Sequence, residues 1–142
     1  MSIWFKPPEI EQVKRWGDGT MLAHLGIEIT DIGDDYIEAT MPADHRTFQP
    51  YKLVHGGANV VLAESLGSIG AQLTVDPERY YCVGQEVNAN HLRSVRDGEV
   101  RARAEQVYKG KTSQVWETKL YDHRNKLTCI SRLTVAVVKV VK

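Results

Sequence analysis

Residues 53–73, LVHGGANVVLAESLGSIGAQL, read as a turn opening into a helix, with a single carboxylate, Glu64, inside an otherwise uncharged run after His55. At ~100° per residue, Leu62, Leu66, Ile69 and Leu73 fall on one stripe, broad enough to pack on a sheet. Glu64 falls on roughly the opposite side, among Gly57, Val60, Val61, Gly67, Ser68 and Ala71. That second face is small and weakly polar, unlike a solvated face crowded with Lys and Glu. A helix apolar nearly all round needs cover on both sides, and one sheet covers only one. The sequence therefore predicts a second subunit or a ligand on the Glu64 face, with Gly67 and Ala71 allowing close backbone approach there. A symmetric dimer is the commonest solution.

Two readings of Glu64 follow. It is either an edge acid paired to an arginine, or a carboxylate held in a site for its chemistry, since burying an unpaired acid costs several kcal/mol or raises its pKa. The preceding His55-Gly56-Gly57 also reads two ways, as a plain turn or as a helix start whose free N–H groups and dipole favour developing negative charge. Gly56, lacking a β-carbon, lets an electrophile approach its amide, as an oxyanion donor in acyl transfer requires. Glu64 lies about two turns beyond a helix start near Gly57, roughly 10 Å along the axis. The separation is awkward within one chain and natural across a two-fold interface.

The flanking sequence predicts the rest of the fold. EIEQVKRWG (9–17) has the composition of a short helix after Pro7-Pro8, and LGIEIT and DYIEATMP are strands around a turn-like DIGDD. Residues 43–52, with Pro50, read as a loop. After TVDPERY come four strands: YYCVGQEVNANHL, GEVRARAEQVYK, SQVWETKLY and LTCISRLTVAVVKV. Asp97-Gly98 and DHRNK supply turns. Helix, two strands, long helix and four strands make an α+β plan, one antiparallel sheet with the helix over one face. The 142 residues read as a single domain, 1–142, without repeats or linkers.

Composition narrows the function. Eighteen basic residues balance eighteen acidic ones, which argues against broad attraction to nucleic acid or anionic membrane. No run reaches the roughly 18 apolar residues of a membrane span, because His55, Asn59 and Glu64 interrupt the best candidate. MSIWFKPPEIEQ lacks the layout of a secretory signal, and Cys82 and Cys129 fit reduced thiols, so a cytoplasmic protein is expected. His24, His45, His55, His91 and His123 have no ligand spacing, so no metal and no cofactor is expected. The absence of a Gly-x-Ser-x-Gly elbow argues against an α/β-hydrolase.

Several motifs occur together: Gln-Pro at 49–50, Leu-x-His-Gly-Gly at 53–57, Ala-Glu-Ser at 63–65 and Asn-Ala-Asn-His at 88–91. In this order, over roughly residues 3 to 140, the chain resembles the hotdog-fold acyl-CoA thioesterases that act on aromatic acyl-CoA. Its nearest likeness is to the subgroup with 1,4-dihydroxy-2-naphthoyl-CoA hydrolase and the enterobactin proofreading thioesterase. The resemblance implies a curved antiparallel sheet wrapped around the long helix, dimers that pair into tetramers, and active sites at the dimer interface. It implies Glu64 as nucleophile or general base, and the Gly56 amide as the group polarising the thioester carbonyl. Gln49 and His55 would position the thioester and leaving thiolate, Ser68 would hold the carboxylate or water, and His91 would reach the acyl pocket. Ser65 joins the substrate-binding set. Arg93, Arg96, Lys109 and Lys111 would meet the phosphates and adenine of coenzyme A at a surface mouth. The competing readings are a hotdog dehydratase or hydratase, whose motifs are not evident, and a non-catalytic acyl-CoA sensor.

Overall fold

The computed structural model describes residues 1–142. Two short helices, α1 (Ile10–Arg15) and α2 (Met21–Leu25), precede β1 (Glu28–Ile32) and β2 (Tyr36–Pro42). The long helix α3 (Gly56–Leu73) follows, then β3 (Tyr80–His91), β4 (Glu99–Lys109), β5 (Ser113–Tyr121) and β6 (Leu127–Lys139). The six strands form one antiparallel sheet in the order β1-β2-β4-β5-β6-β3. The α+β plan is as expected. Only α2 departs from the sequence reading, a five-residue helix capped by Thr20, whose side chain accepts from the Leu22 N–H, and closed by Gly26 at φ 75°.

Alternation of side chains builds the floor under α3. Ile37, Ala39 and Met41 on β2, and Val100, Ala102 and Ala104 on β4, are fully buried, while Arg101 and Arg103 point the other way. On β5 the inward residues are Gln114, Trp116, Thr118 and Leu120. Trp116 is the bulkiest of them. Its indole N–H donates to Gln114 Oε1 (2.8 Å), and Gln114 Nε2 donates to Thr74 Oγ1 (2.8 Å) just beyond α3. Thr74 Oγ1 donates onward to the Ala71 carbonyl (2.8 Å), so each polar group in this buried chain is satisfied.

The helix seats differently from the leucine-stripe expectation. Leu62 and Leu66 are buried as expected, but Ile69 and Leu73 are only half-buried. The line pressed deepest into the sheet includes Ala63, Gly67, Gly70 and Ala71. A β-carbon at Gly70 would stand 2.8 Å from the Trp116 ring, and one at Gly67 2.8 Å from Leu133 Cδ2. The expectation that Gly67 and Ala71 face a second subunit is therefore corrected: they lie on the chain's own sheet. The sheet supplies the bulk here through Trp116, so the helix must supply the small residues. Val60, Val61, Glu64, Ser65, Ser68 and Gln72 form the remaining, half-buried face.

The two sheet edges differ. β1 has five residues and α1 packs against it, whereas β3 runs for twelve with Tyr81 and Val83 each 46% exposed. Its register against β6 slips between Gly84 and Glu86, which makes Gln85 an extra residue. Before this bulge Cys82 faces inward, and after it Val87 and Ala89 do, because one added residue inverts the alternation.

Candidate active site

His55 is the N-cap of α3, in extended backbone (φ −65°, ψ 135°), and its ring Nδ1 accepts from the Gly57 N–H at 2.7 Å. That contact requires Nδ1 to be unprotonated, so Nε2 carries the ring proton and faces outward as a donor. The cap role is additional to the sequence reading of His55. The next amide, that of Gly56, makes no hydrogen bond within the chain, while Ala58 and Asn59 both bond to the His55 carbonyl. Gly56 thus presents a free donor at the positive end of an 18-residue helix.

A cleft of about 350 Å³ opens in front of this amide, lined by Gln49, Val54, Gly56, Asn59, His91 and Arg93 among others. Gln49 is held in a tight turn: its N–H donates to the Leu53 carbonyl (2.8 Å), its carbonyl accepts from Lys52 (2.9 Å), and its side-chain oxygen accepts from the Tyr51 N–H. Its amide nitrogen remains free to donate into the cleft. The β3 bulge turns His91 toward α3, where its Nε2 stands 2.9 Å from the position a β-carbon on Gly56 would take. Any side chain at 56 would displace that ring. Glycine is required here by a neighbour, not by backbone torsion.

Asn59 was not among the expected site residues. It is 5% exposed, and its Nδ2 lies 3.3 Å from His91 Nδ1. Its Oδ1 is the only buried side-chain nitrogen or oxygen without a partner, at a cost of about 1–3 kcal/mol. The signal in the sequence was an amide within an apolar helical run, on the side the structure reveals to be buried.

Glu64 lies eight residues beyond Gly56, about 12 Å along the helix, and outside the cleft. It is half-buried and forms no ion pair and no hydrogen bond in its own chain. The arginine-paired reading is therefore excluded. One carboxylate oxygen lies against Gly84, where a β-carbon would push it aside. Gly84, which sequence reasoning missed, makes room for Glu64 at the bulge; a lone glycine in a strand pattern was the available signal. Ser65 and Ser68 are half-buried on the same helix face without hydrogen bonds.

The basic residues do not form one mouth. Arg93 and Arg96 line a cleft of about 250 Å³ that adjoins the Gly56 cleft through Arg93, Ser94 and Val95, and neither is in an ion pair. Lys109 and Lys111 lie beyond the other end of α3, roughly 27 Å away along an 18-residue helix. Lys109 Nζ donates to the Thr74 carbonyl (3.2 Å), placing a cation at the negative helix end. The expectation of a single surface mouth is corrected on this point. These lysines end the β4–β5 hairpin, whereas the arginines follow β3.

Burial pushes the Cys82 and Cys129 thiols up to about 11, so neither is a thiolate near neutral pH. No helix is long and apolar enough to cross a membrane.

Residues 51–129, from just after Gln49 to the first residues of β6, match the family model described as Thioesterase superfamily. The chain is 46% identical over 135 residues to the 1,4-dihydroxy-2-naphthoyl-CoA hydrolase of Escherichia coli K12, spanning 95% of this chain and 98% of that one. It is 44% identical over 135 residues to the proofreading thioesterase EntH of Cronobacter turicensis, with shares of 95% and 98%. Among solved structures, a mutant thioesterase from Pseudomonas aeruginosa superposes with a TM-score of 0.96 at 47% identity, covering 98% of this chain and all (100%) of that one. A thioesterase from Haemophilus influenzae gives 0.95 at 44% identity, with 99% and 97% covered. Such identity across nearly the full length of each chain, on a six-stranded antiparallel sheet packed against one long helix, is that of a common family: the chain belongs to the thioesterase superfamily, has its hotdog fold and is a thioester hydrolase.

Proposed function

We propose that the protein hydrolyses an aromatic or hydroxyaryl acyl-CoA to the free acid and coenzyme A, in a site completed by a second copy of the chain. One observation carries this reading: Glu64 is a half-buried carboxylate with no partner in its own chain, pressed against Gly84 of an open edge strand. A carboxylate in that position has its charge uncompensated until something else meets it. The N-terminal cleft, meanwhile, has donors at Gly56 and Gln49, with His55 beside them, and no carboxylate of its own.

Antiparallel pairing of two β3 edges supplies what each half lacks. The long exposed strand favours such pairing, and a two-fold axis through its middle runs the two α3 helices antiparallel. The Glu64 face of one helix then turns toward the N-terminus of the other. In this arrangement the Gly56 N–H donates to the thioester oxygen, the helix dipole reinforces it, and Glu64 attacks the carbonyl carbon or removes a proton from the attacking water. Ser68, one turn beyond Glu64, holds the carboxylate or water, and Ser65 contacts the substrate. Gln49 and the outward His55 N–H position the thioester. Because a thiolate leaves readily, no strong general acid is needed. Arg93, with Arg96 beside it, suits the phosphates of coenzyme A, and Lys109 and Lys111 join them only where another subunit's cleft comes near. The names of the Escherichia coli and Cronobacter relatives support a thioester substrate, the first of them a hydroxylated aromatic acyl-CoA.

The test is a panel of benzoyl-, hydroxybenzoyl-, hydroxynaphthoyl- and aliphatic acyl-CoA, with released thiol followed colorimetrically. Aryl substrates should lead, and Glu64→Ala should lower kcat at least 100-fold, the lower end of what positioned acid–base catalysis contributes. Tight binding without thiol release, or Glu64→Ala at full rate, would overturn the reading.

A further inference from the structure

We propose that Asn59 is a positioning residue that holds His91 as its Nε2–H tautomer, so that the cleft presents a hydrogen-bond donor to an acceptor oxygen on the acyl group. The inference deepens the acyl-CoA reading above and rests on it. Asn59 sits one turn into α3, 95% shielded by the same packing that buries Leu62 and Ala63, and only one side-chain partner is within its reach. That partner is His91 Nδ1, at 3.3 Å. An amide nitrogen can only donate, so a bond from Nδ2 makes Nδ1 the acceptor and leaves the ring proton on Nε2.

The opposite orientation of the amide would put Oδ1 against Nδ1–H and leave the NH₂ group buried without an acceptor. An unsatisfied carbonyl-type oxygen is tolerated more often than an unsatisfied N–H. With Nδ2 on the ring, the atom left unpartnered is Oδ1, the only such side-chain atom in the chain. No structural need explains this choice of residue. His91 is exposed and water can serve its Nδ1, while an apolar side chain at 59 would remove the buried oxygen altogether. A residue that weakens packing while orienting a cleft-lining imidazole is most economically explained by that imidazole. The Nε2 so protonated stands over Gly56, beside the free amide, so both donors face the same cleft.

The experiment uses the purified full chain with ¹⁵N-labelled histidine, the His91 signals being assigned by their loss in His91→Gln. Spectra are taken at a pH high enough for the ring to be neutral. Wild type should show the Nε2–H pattern, and Asn59→Asp, whose carboxylate can only accept, should invert it to Nδ1–H. Hydroxybenzoyl-CoA and the matching methoxybenzoyl-CoA are then compared at the same pH. Both carry an acceptor oxygen, but only the hydroxyl can donate to a bare Nε2, so Asn59→Asp should lower methoxy relative to hydroxy kcat/KM by about tenfold. Asn59→Leu, close in volume, should unfold at the same or higher urea concentration than wild type while losing about tenfold in kcat/KM. An Nδ1–H wild type, a tautomer indifferent to Asn59→Asp, an unchanged substrate ratio, or an Asn59→Leu that loses stability and keeps its rate would each overturn the proposal. If wild type releases thiol from no acyl-CoA, the hydrolase reading falls instead, and the imidazole spectra still decide whether Asn59 sets the tautomer.

Discussion

At the residue scale, one histidine and two glycines divide labour that their chemistry alone would not assign. His55 caps α3 through Nδ1 and points Nε2–H outward, so in the proposed site one ring would serve stability and binding together. The two roles separate by substitution. His55→Ala should cost about 1 kcal/mol of stability, the usual loss for a cap, whereas His55→Asp should restore the cap without restoring the donor. Urea unfolding should therefore rank Asp near wild type, while kcat/KM should be reduced in both variants. Gly84 is the converse case. It has no polar group to offer, yet a β-carbon there would collide with the Glu64 carboxylate at the end of a flexible side chain. Gly84→Ala should shift that carboxylate and lower kcat by tenfold or more with a change of less than about 1 kcal/mol in stability, because the exposed strand loses nothing it packs with. Gly70→Ala should do the reverse: its β-carbon meets the Trp116 ring at 2.8 Å, an overpacking that costs about 1–3 kcal/mol.

At the scale of elements, the bulge in β3 decides which residues reach the site. Gln85 is the extra residue, and because the bulge absorbs it, Cys82 before it and His91 after it both face inward. Deleting Gln85 should restore regular pairing with β6 and leave His91 opposite Cys129 on the inner face, because Gly84 and Glu86 already pair with the consecutive Val135 and Thr134. The expected result is a folded protein with unchanged far-UV circular dichroism that keeps the His91 contact and its activity on hydroxyaryl substrates, and a displaced His91 would show that the bulge itself, not the pairing with β6, aims the ring. The strand itself was legible in YYCVGQEVNANHL, since Tyr, Cys and Val favour extended structure. The bulge was not, because alternation across Gly84-Gln85-Glu86 is compatible with either parity until β6 fixes the register. Likewise α3 was evident from composition and its opening glycines, but its rotation on the sheet was not. That rotation depends on Trp116, which is forty-odd residues away in sequence and directly beneath in space.

At the scale of the whole molecule, the proposed site is divided. The donors gather at the N-terminus of α3 and the unpaired carboxylate stands at its middle, beside a twelve-residue edge strand with Tyr81 and Val83 exposed. Placing a charge on that strand is the direct test of assembly. Val83→Lys should yield monomers by light scattering at micromolar concentration, with thiol-releasing activity lost in proportion to the monomer fraction. A monomer with full activity would contradict the shared site. The two thiols, Cys129 buried and Cys82 half-buried, make the measurement practical: with both pushed up to about 11, they should react slowly with a colorimetric thiol reagent until denaturant is added, so released coenzyme A dominates the signal.

By itself, the sequence determined what depends on local order: the strands and their alternation, the long helix, and the ordered motifs around Gln49, His55, Gly56, Glu64 and His91 that mark a hotdog thioesterase. Short-range periodicity and turn chemistry carry those features, and both are written in consecutive residues. Only the tertiary structure decided that Gly67 and Ala71 face the sheet, that Asn59 meets His91, that Gly84 yields to Glu64, and that Lys109 and Lys111 lie at the opposite end of the helix from Arg93. Each of these is a contact between segments far apart in the chain, set by how large side chains and backbones share one packed space, and no local pattern encodes it.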